Sequence, residues 1–262
     1  MSQETVPVIG LEGKEVDRIT LSDVFKTPFR PDVIKRVVVA LQSHRIQPQG
    51  RDPMAGKRTT AISWGVGFAA ARIPRVKGSQ YPAASSGALA PSTVGGRNAF
   101  PPTTQRKIAK KINKKERLLA LRSAVAATGK RELVEARGHK FSHEIGLPIV
   151  VSDELQSVKT TKTLEVFFEK IGLSPDLDKV RDKASPQISK RRRRGRQARH
   201  GKGPLIVISD DQGVGKAAQN LLGVEVVKIG NLNPEFLAPG AKAARLTVWT
   251  VSSINRLNEM KA

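Results

Sequence analysis

Pro204-Leu205-Ile206-Val207-Ile208-Ser209, followed by Asp210-Asp211-Gln212-Gly213-Val214-Gly215-Lys216, decides the fold class. Four consecutive apolar residues between turn formers make a strand buried on both faces. A turn and a helical stretch, Lys216–Leu222, come next, then a second such strand, Val224–Ile229. Pro234–Leu237 reads as a turn or short helix, Leu246–Val251 as a strand and Ser252–Met260 as a last helix. Upstream the rhythm is the same. Pro148–Ser152 is a short buried strand, and Thr161–Ile171 is a helix with Leu164, Phe167, Phe168 and Ile171 inside and Gly172 as its stop. The period over Asp178–Ala184 fits either a strand or a short helix. At the start, Thr5–Ile9 and Glu15–Leu21 read as strands joined around Gly10 and Gly13, with Pro7 marking an edge. Pro31-Asp32 opens a helix to Ser43, with Val33, Ile34, Val37, Val38 and Leu41 on one face. Strands alternating with helices predict an α/β fold whose mostly parallel sheet is covered by helices on both faces.

One segment breaks the rhythm. His44–Gln105 has no helix or strand period and is rich in Gly and Pro. It reads as one very long extended loop, leaving 1–43 and 106–262 as the globular body. A loop of this length inside a compact domain is functional or disordered. It carries Arg45, Arg51, Lys57, Arg58, Arg72, Arg75, Lys77 and Arg97 against one acid, Asp52. It also holds Trp64, Phe68, Tyr81 and Phe100, which ordinary disordered tracts lack. Cations for phosphates and π-faces for unpaired bases point to bound RNA; a mobile linker is the plainer alternative. After Pro101-Pro102 a helix is expected from Thr103 or Thr104 to Thr128, its first half densely basic.

The 262 residues carry a net charge of +23. Three segments hold +22 of it. His44–Gln105 carries +7. Arg106–Thr128 carries +7, with Arg106, Lys107, Lys110, Lys111, Lys114 and Lys115 leading it. Ser189–Gly203 carries +8, from Lys190, Arg191, Arg192, Arg193, Arg194, Arg196, Arg199 and Lys202. The rest is nearly neutral, so this is a neutral body with three basic surfaces, the footprint of a polyanion partner. The 189–203 run interrupts the α/β pattern and reads as an RNA-binding insertion; a nuclear localisation signal is the competing reading.

Other chemistry is poorly supported. There is no cysteine, so disulfides, thiol catalysis and cysteine–zinc sites are out. Asp210–Lys216 sits where a phosphate loop would, but Asp210 replaces the first glycine and Ala217 the magnesium-holding Ser or Thr. A strand-to-helix turn fits better. His139 and His143 are four apart but lie between Gly138 and Gly146 with no third ligand, so no metal is expected. Arg137, His139 and Lys140 suit a phosphate contact instead. Neither cofactor nor catalytic grouping emerges. The first residues show no signal-peptide pattern, and no apolar run is long enough to span a bilayer.

Several stretches together resemble the archaeal and eukaryotic branch of ribosomal large-subunit protein four, the L-four family. They are Pro31-Asp32 with its helix, Ala61–Pro74, Gly96-Arg97-Asn98-Ala99-Phe100-Pro101-Pro102, Lys115-Glu116-Arg117 with Ser123–Thr128, Arg137-Gly138-His139-Lys140-Phe141, and Leu237-Ala238-Pro239-Gly240 with Arg245-Leu246-Thr247-Val248. The lack of a long tail after Met260 is similar to the archaeal type. The resemblance implies a non-enzymatic component of the large ribosomal subunit, in the cytoplasm. It implies 23S-type ribosomal RNA, other large-subunit proteins and the nascent polypeptide as partners, and no membrane. It also implies that the loop tip, with Trp64, Gly65, Gly67, Phe68 and Arg72, lines the polypeptide exit tunnel. The family pattern has Gly-Arg-Gly where this chain has Gly67-Phe68-Ala69, so charge at the tip is reduced or moved to Arg72. The alternatives are a nucleotide-dependent enzyme acting on RNA and a transcript-binding regulator.

Overall fold

The computed structural model describes residues 5–143, 145–182 and 201–259. They form two compact units, one of residues 1–42 with 111–262 and one of residues 43–110.

The first unit is built on a six-stranded sheet. Its strands are β1 (Thr5–Ile9), β2 (Glu15–Thr20), β5 (Ile149–Val151), β6 (Leu205–Ile208), β7 (Glu225–Lys228) and β8 (Thr247–Thr250), in the order β2-β1-β5-β8-β6-β7. Only the β1–β2 pair is antiparallel. The helices are α1 (Pro31–Ser43), α2 (Lys114–Thr128), α3 (Arg131–Arg137), α4 (Thr161–Ile171), α5 (Ser174–Asp182), α6 (Val214–Ala218), α7 (Pro234–Leu237) and α8 (Val251–Glu259).

The apolar runs place their side chains alternately on two faces, as the period of two requires. Ile149, Ile206 and Val248 lie in one core cluster with Leu164, Phe168 and Leu177 of α4 and α5. Val150, Val207 and Trp249 lie in the other with Ile34, Val38, Ala124 and Ile254 of α1, α2 and α8. Register keeps like with like, since Ile206 faces Val248 and Val207 faces Trp249. Trp249 is fully buried and meets Phe25 edge-on at 5.7 Å.

One expectation is corrected, one open reading is resolved and one helix is new. The helix predicted from Thr103 or Thr104 begins at Lys114 instead. The reason is charge: Arg106, Lys107, Lys110, Lys111, Lys114 and Lys115 would crowd the positive end of the helix dipole. The structured start has no strong cap either, because Asn113 makes no side-chain capping bond. The undecided stretch at Asp178–Ala184 is helical over residues 178–182, in a helix that begins earlier, at Ser174, and its last two residues lie outside the described ones. And α3 was not expected. Its signals were an Arg131–Glu135 pair four residues apart, at 2.8 Å, and Gly138 ending it at φ +97°.

Arg245 is buried with no exposed surface. Its guanidinium donates to the carbonyls of Gly203, Gly223 and Phe236 at 2.8, 3.0 and 3.2 Å, and to Glu225 at 2.5 Å. Burial raises the pKa of Glu225, but the charges of Arg245 and Lys202 outweigh it and leave a net depression. Arg245→Met should therefore lower unfolding free energy by about 3–5 kcal/mol, as removal of one partner of a buried pair does, read from urea midpoints. The carboxylate carries its own test. A depressed folded pKa means that its stabilisation is complete above the ordinary value of 4.5 and is lost as pH falls through the lower folded value. Glu225→Gln should flatten that acid limb, and an unchanged limb would show that the pair contributes nothing to acid sensitivity.

Candidate nucleic-acid interface

The unit of residues 43–110 has almost no apolar core; Ala88 is the buried hydrophobic residue within it. Backbone hydrogen bonds order it instead. At its root Lys110 N donates to Ser43 Oγ at 3.0 Å, and the His44 ring meets the Lys110 carbonyl at 3.0 Å. Further in, Arg51 N donates to Pro102 O at 3.1 Å. Gly56, at φ +76°, lies against the Gly96–Arg97 backbone so closely that a Cβ would sit 2.5 Å from Arg97 N. The segment read as lacking any strand contains a small hairpin, β3 (Ala61–Ile62) with β4 (Arg75–Val76). Residues 85–88 add a third rung, with Val76 N on Ser86 O at 3.0 Å and Ala88 N on Pro74 O at 2.8 Å. Two-residue strands leave no period to read, which is why the sequence hides them.

The tip lies beyond this ladder. Ser63 Oγ donates to Arg72 O at 3.1 Å and closes it. Gly65 and Gly67 have φ of +82° and +94° with nothing within 4 Å of a Cβ, so they are needed for conformation, not for room. Ala69 also takes positive φ, +49°, at the position where the resemblance leads one to expect Gly. Trp64 stacks under the Arg75 guanidinium at 4.9 Å and tilts against Phe68 at 6.0 Å.

The cations divide by what they already hold. Arg58 pairs with Asp52 at 2.8 Å. Arg75 is spent on Trp64 and on the Ser85 carbonyl at 2.9 Å. Arg45 has an interaction within the protein. The side chains of Arg51, Lys57, Arg72, Lys77 and Arg97 form no ion pair among the described residues. Beside them Phe68 is 63% and Phe100 94% exposed, and Trp64 and Tyr81 are exposed to lesser degrees. Large aromatic faces left in water beside unneutralised cations are a surface for stacked bases and phosphates.

In the other unit, Lys111, Lys114 and Lys115 mark the approach to α2 and its first turn, while Glu116 pairs with Arg36 at 2.7 Å. Residues 106–110, with Arg106, Lys107 and Lys110, belong to the 43–110 unit. Lys202 pairs with Glu225. Lys190, Arg191, Arg192, Arg193, Arg194, Arg196 and Arg199 lie outside the described residues. His139 is buried, with Nδ1 2.9 Å from Asp176, and Arg137 donates to the carbonyls of Pro239, Lys242 and Ala243. His143 meets Arg131 instead, so the two histidines serve different partners, and no metal-holding group occurs among the described residues. The would-be phosphate loop is filled from within: Asp211 Oδ1 accepts Gly213 N at 3.0 Å and Gly215 N at 3.1 Å. The amides a nucleotide needs hold the chain's own carboxylate.

Comparison with known proteins decides the family. The model of the ribosomal protein L4/L1 family matches residues 19–260. The chain belongs to this family. It is 46% identical over 255 residues to the large ribosomal subunit protein uL4 of Methanosphaera stadtmanae, covering 97% of this chain and 96% of that one. It is 44% identical to uL4 of Methanopyrus kandleri, with 97% of each chain covered, and 43% identical to uL4 of Saccharolobus islandicus, with 96% and 93% covered. A member of this ribosomal protein family is not an enzyme. No helix of the described residues is long and apolar enough to cross a membrane.

Gly56 tests the frame of this L4/L1 family member. Gly56→Val places a branched side chain at positive φ, at a strain of about 1–3 kcal/mol, and drives it into the opposite limb. Trypsin should then cut faster at Arg51, Lys57 and Arg58, as mass spectrometry of the fragments would show. Unchanged cleavage rates would mean that the two limbs do not support each other.

Proposed function

We propose that this chain is a structural constituent of the large ribosomal subunit, that it binds 23S-type ribosomal RNA, and that Trp64–Arg72 forms part of the exit-tunnel wall. The α/β body of 1–43 and 106–262 docks on the particle. Residues 44–105 thread through RNA, and 189–203 serve as a basic insertion in the body. Neighbouring large-subunit proteins and the nascent polypeptide are the other partners, in cytoplasmic ribosomes. One observation carries the RNA reading. Five cations without acid partners among the described residues share one unit with four exposed aromatic rings, on a frame ordered by backbone bonds instead of by a core. The relatives' name, large ribosomal subunit protein uL4, supports this reading.

Mechanistically, Arg51, Lys57, Arg72, Lys77 and Arg97 neutralise crowded phosphates, with the basic approach to α2 adding more. Arginine forks grip two phosphate oxygens at once, while lysine acts as a point charge. Trp64, Phe68, Tyr81 and Phe100 offer stacking faces. At the tip, bulk comes from Trp64, Phe68 and Arg72, with the Arg75–Trp64 stack and the Ser63–Arg72 bond setting their position.

Each phosphate contact contributes about −0.7 to −0.9 to the slope of log affinity against log salt. Five contacts predict a slope of about −3.5 or steeper for the full chain on ribosomal RNA; a flat titration would remove the neutralisation argument. In cells the protein should stay with large subunits through a high-salt wash.

Deleting Trp64–Ala71 leaves the β3–β4 ladder and the α/β sheet untouched. Such subunits should assemble, with the tunnel wider at one point and tunnel-binding drugs altered in affinity. A cryo-EM map with an unchanged tunnel would place the tip elsewhere.

A further inference from the structure

A cavity of about 260 Å³ opens in the α/β unit where three distant segments meet. Its wall carries Arg137 from the end of α3, Lys179 from α5, and Lys202 and Lys242 from the chain before β6 and β8. The buried His139–Asp176 pair also lines it. Four cations thus line one cavity; Lys202 is paired with Glu225, and the one carboxylate in the lining, Asp176, is already committed. Asp176 Oδ2 holds His139 Nδ1 at 2.9 Å, and Oδ1 accepts Lys140 N at 3.2 Å. The carbonyls ending α3, which would repel an anion, are covered as well. Gly138 N donates to Glu135 O at 2.7 Å and His139 N to Val134 O at 3.3 Å.

The cationic side is less balanced. Arg137 and Lys242 pair with no carboxylate among the described residues. Burial, and then the neighbouring charge of Arg245, pull the Arg137 pKa down to about 10. A cation in that state gains from an anion brought near it. The lining is also shaped for close approach. Gly138 adopts φ +97°, and Lys179 Nζ sits 3.3 Å from where its Cβ would be. Glycine is required there by the positive φ, and its missing side chain leaves that corner open beside the ammonium.

We propose that this cavity is a phosphate-binding site, taking one phosphodiester of RNA in the assembled particle and inorganic phosphate in the isolated protein. The assignment of RNA as the source rests on the function proposed above; the phosphate chemistry does not. Lys242 supplies a point charge without a carboxylate partner among the described residues, Lys179 brings a second ammonium beside Gly138, and Arg137 adds a fixed positive wall. The site differs in kind from the 43–110 surface, which has stacking faces. Here no Phe, Tyr or Trp lines the cavity, and the His139 ring is buried against Asp176, so a phosphate is held and the base is not read.

The test is a titration of the full-length, ¹⁵N-labelled chain with inorganic phosphate at constant ionic strength, against chloride. The amides of Gly138, His139, Lys140 and Gly201 should shift saturably. Lys179→Met with Lys242→Met should weaken the effect about tenfold or more while the rest of the spectrum overlays the parent. Lys242→Met alone, an exposed position, should weaken it partially and guards against loss of fold in the double variant. Shifts no larger than with chloride, shifts spread evenly over the lysines, or a double variant that binds as before would each overturn the site. A short oligoribonucleotide should displace phosphate from the same amides, where the matching nucleosides should not. If phosphate binds and the oligonucleotide leaves these amides alone, the RNA assignment is wrong and the site serves free phosphate. The salt slope of whole-chain RNA binding is read separately, so a silent cavity with a steep slope sinks this proposal and leaves the RNA-binding function standing.

Discussion

Two arginines, Arg245 fully buried and Arg137 half-buried, hold together the part of the α/β unit that has the least regular structure. Between α7 and β8 the chain runs through a short turn and irregular backbone, and its carbonyls have no ladder to join. Arg137 takes those of Pro239, Lys242 and Ala243, while Arg245 takes that of Phe236 and the carbonyls entering β6 and β7. A buried carbonyl without a donor costs a large part of a domain's net stability. Helix and sheet solve that problem locally. Here it is solved by a side chain with five donors in a fixed plane. Lysine could not replace it, because one ammonium cannot reach several carbonyls lying in one plane. Both arginines are net cations in a poorly solvated place, and Glu225 balances only Arg245. That imbalance is what gives the neighbouring cavity its positive wall.

The two units show two ways to order a chain. In the sheet unit, alternation of Ile206 with Val207 and of Val248 with Trp249 sends side chains into two cores, and burial does the work. In the 43–110 unit there is hardly anything to bury. Its order comes from short ladders, turns and glycines that let two limbs touch, as Gly56 does against Gly96 and Arg97. Such a frame leaves its large side chains outside. Phe68 and Phe100 are exposed because no core exists to receive them, and the surface they form follows from how the unit is held.

Much of the sheet unit was legible, and the reasons are local. Leu205–Ile208 is apolar at every position and ends in turn formers, and Leu246–Val251 is β-branched or apolar throughout, so their burial could be read directly. The limits of α4 could be read from Gly172 and from the spacing of Leu164, Phe167, Phe168 and Ile171. The start of α2 could not. Ile108 and Ile112 keep a helical spacing, and only the electrostatic crowding of the lysines between and around them stops the helix short. The hairpin at Ala61–Ile62 and Arg75–Val76 was invisible because two residues make no pattern. Among the site residues, composition separated cations from acids but not committed cations from available ones. That Arg58 answers Asp52, or that Arg75 lies over Trp64, depends on chain reversals no periodicity encodes. The role of Arg245 was likewise hidden, since a lone arginine before a strand looks like any surface charge.

The position of β1 has a consequence in time. Its parallel partner is β5, with Val8 beside Val150, and the whole 43–110 unit is synthesised between them. At about 5–20 residues per second, the first strand waits roughly seven to thirty seconds for its neighbour. Closing so long a loop costs little at equilibrium, since the penalty grows only with the logarithm of length. The delay itself is unavoidable. By its end, residues 44–105, with eight cations and one acid, have been made while β6, β7 and β8, which complete the sheet, do not yet exist. The nascent chain is thus able to engage polyanions before it is able to fold, and its surroundings during those seconds matter as much as its final contacts.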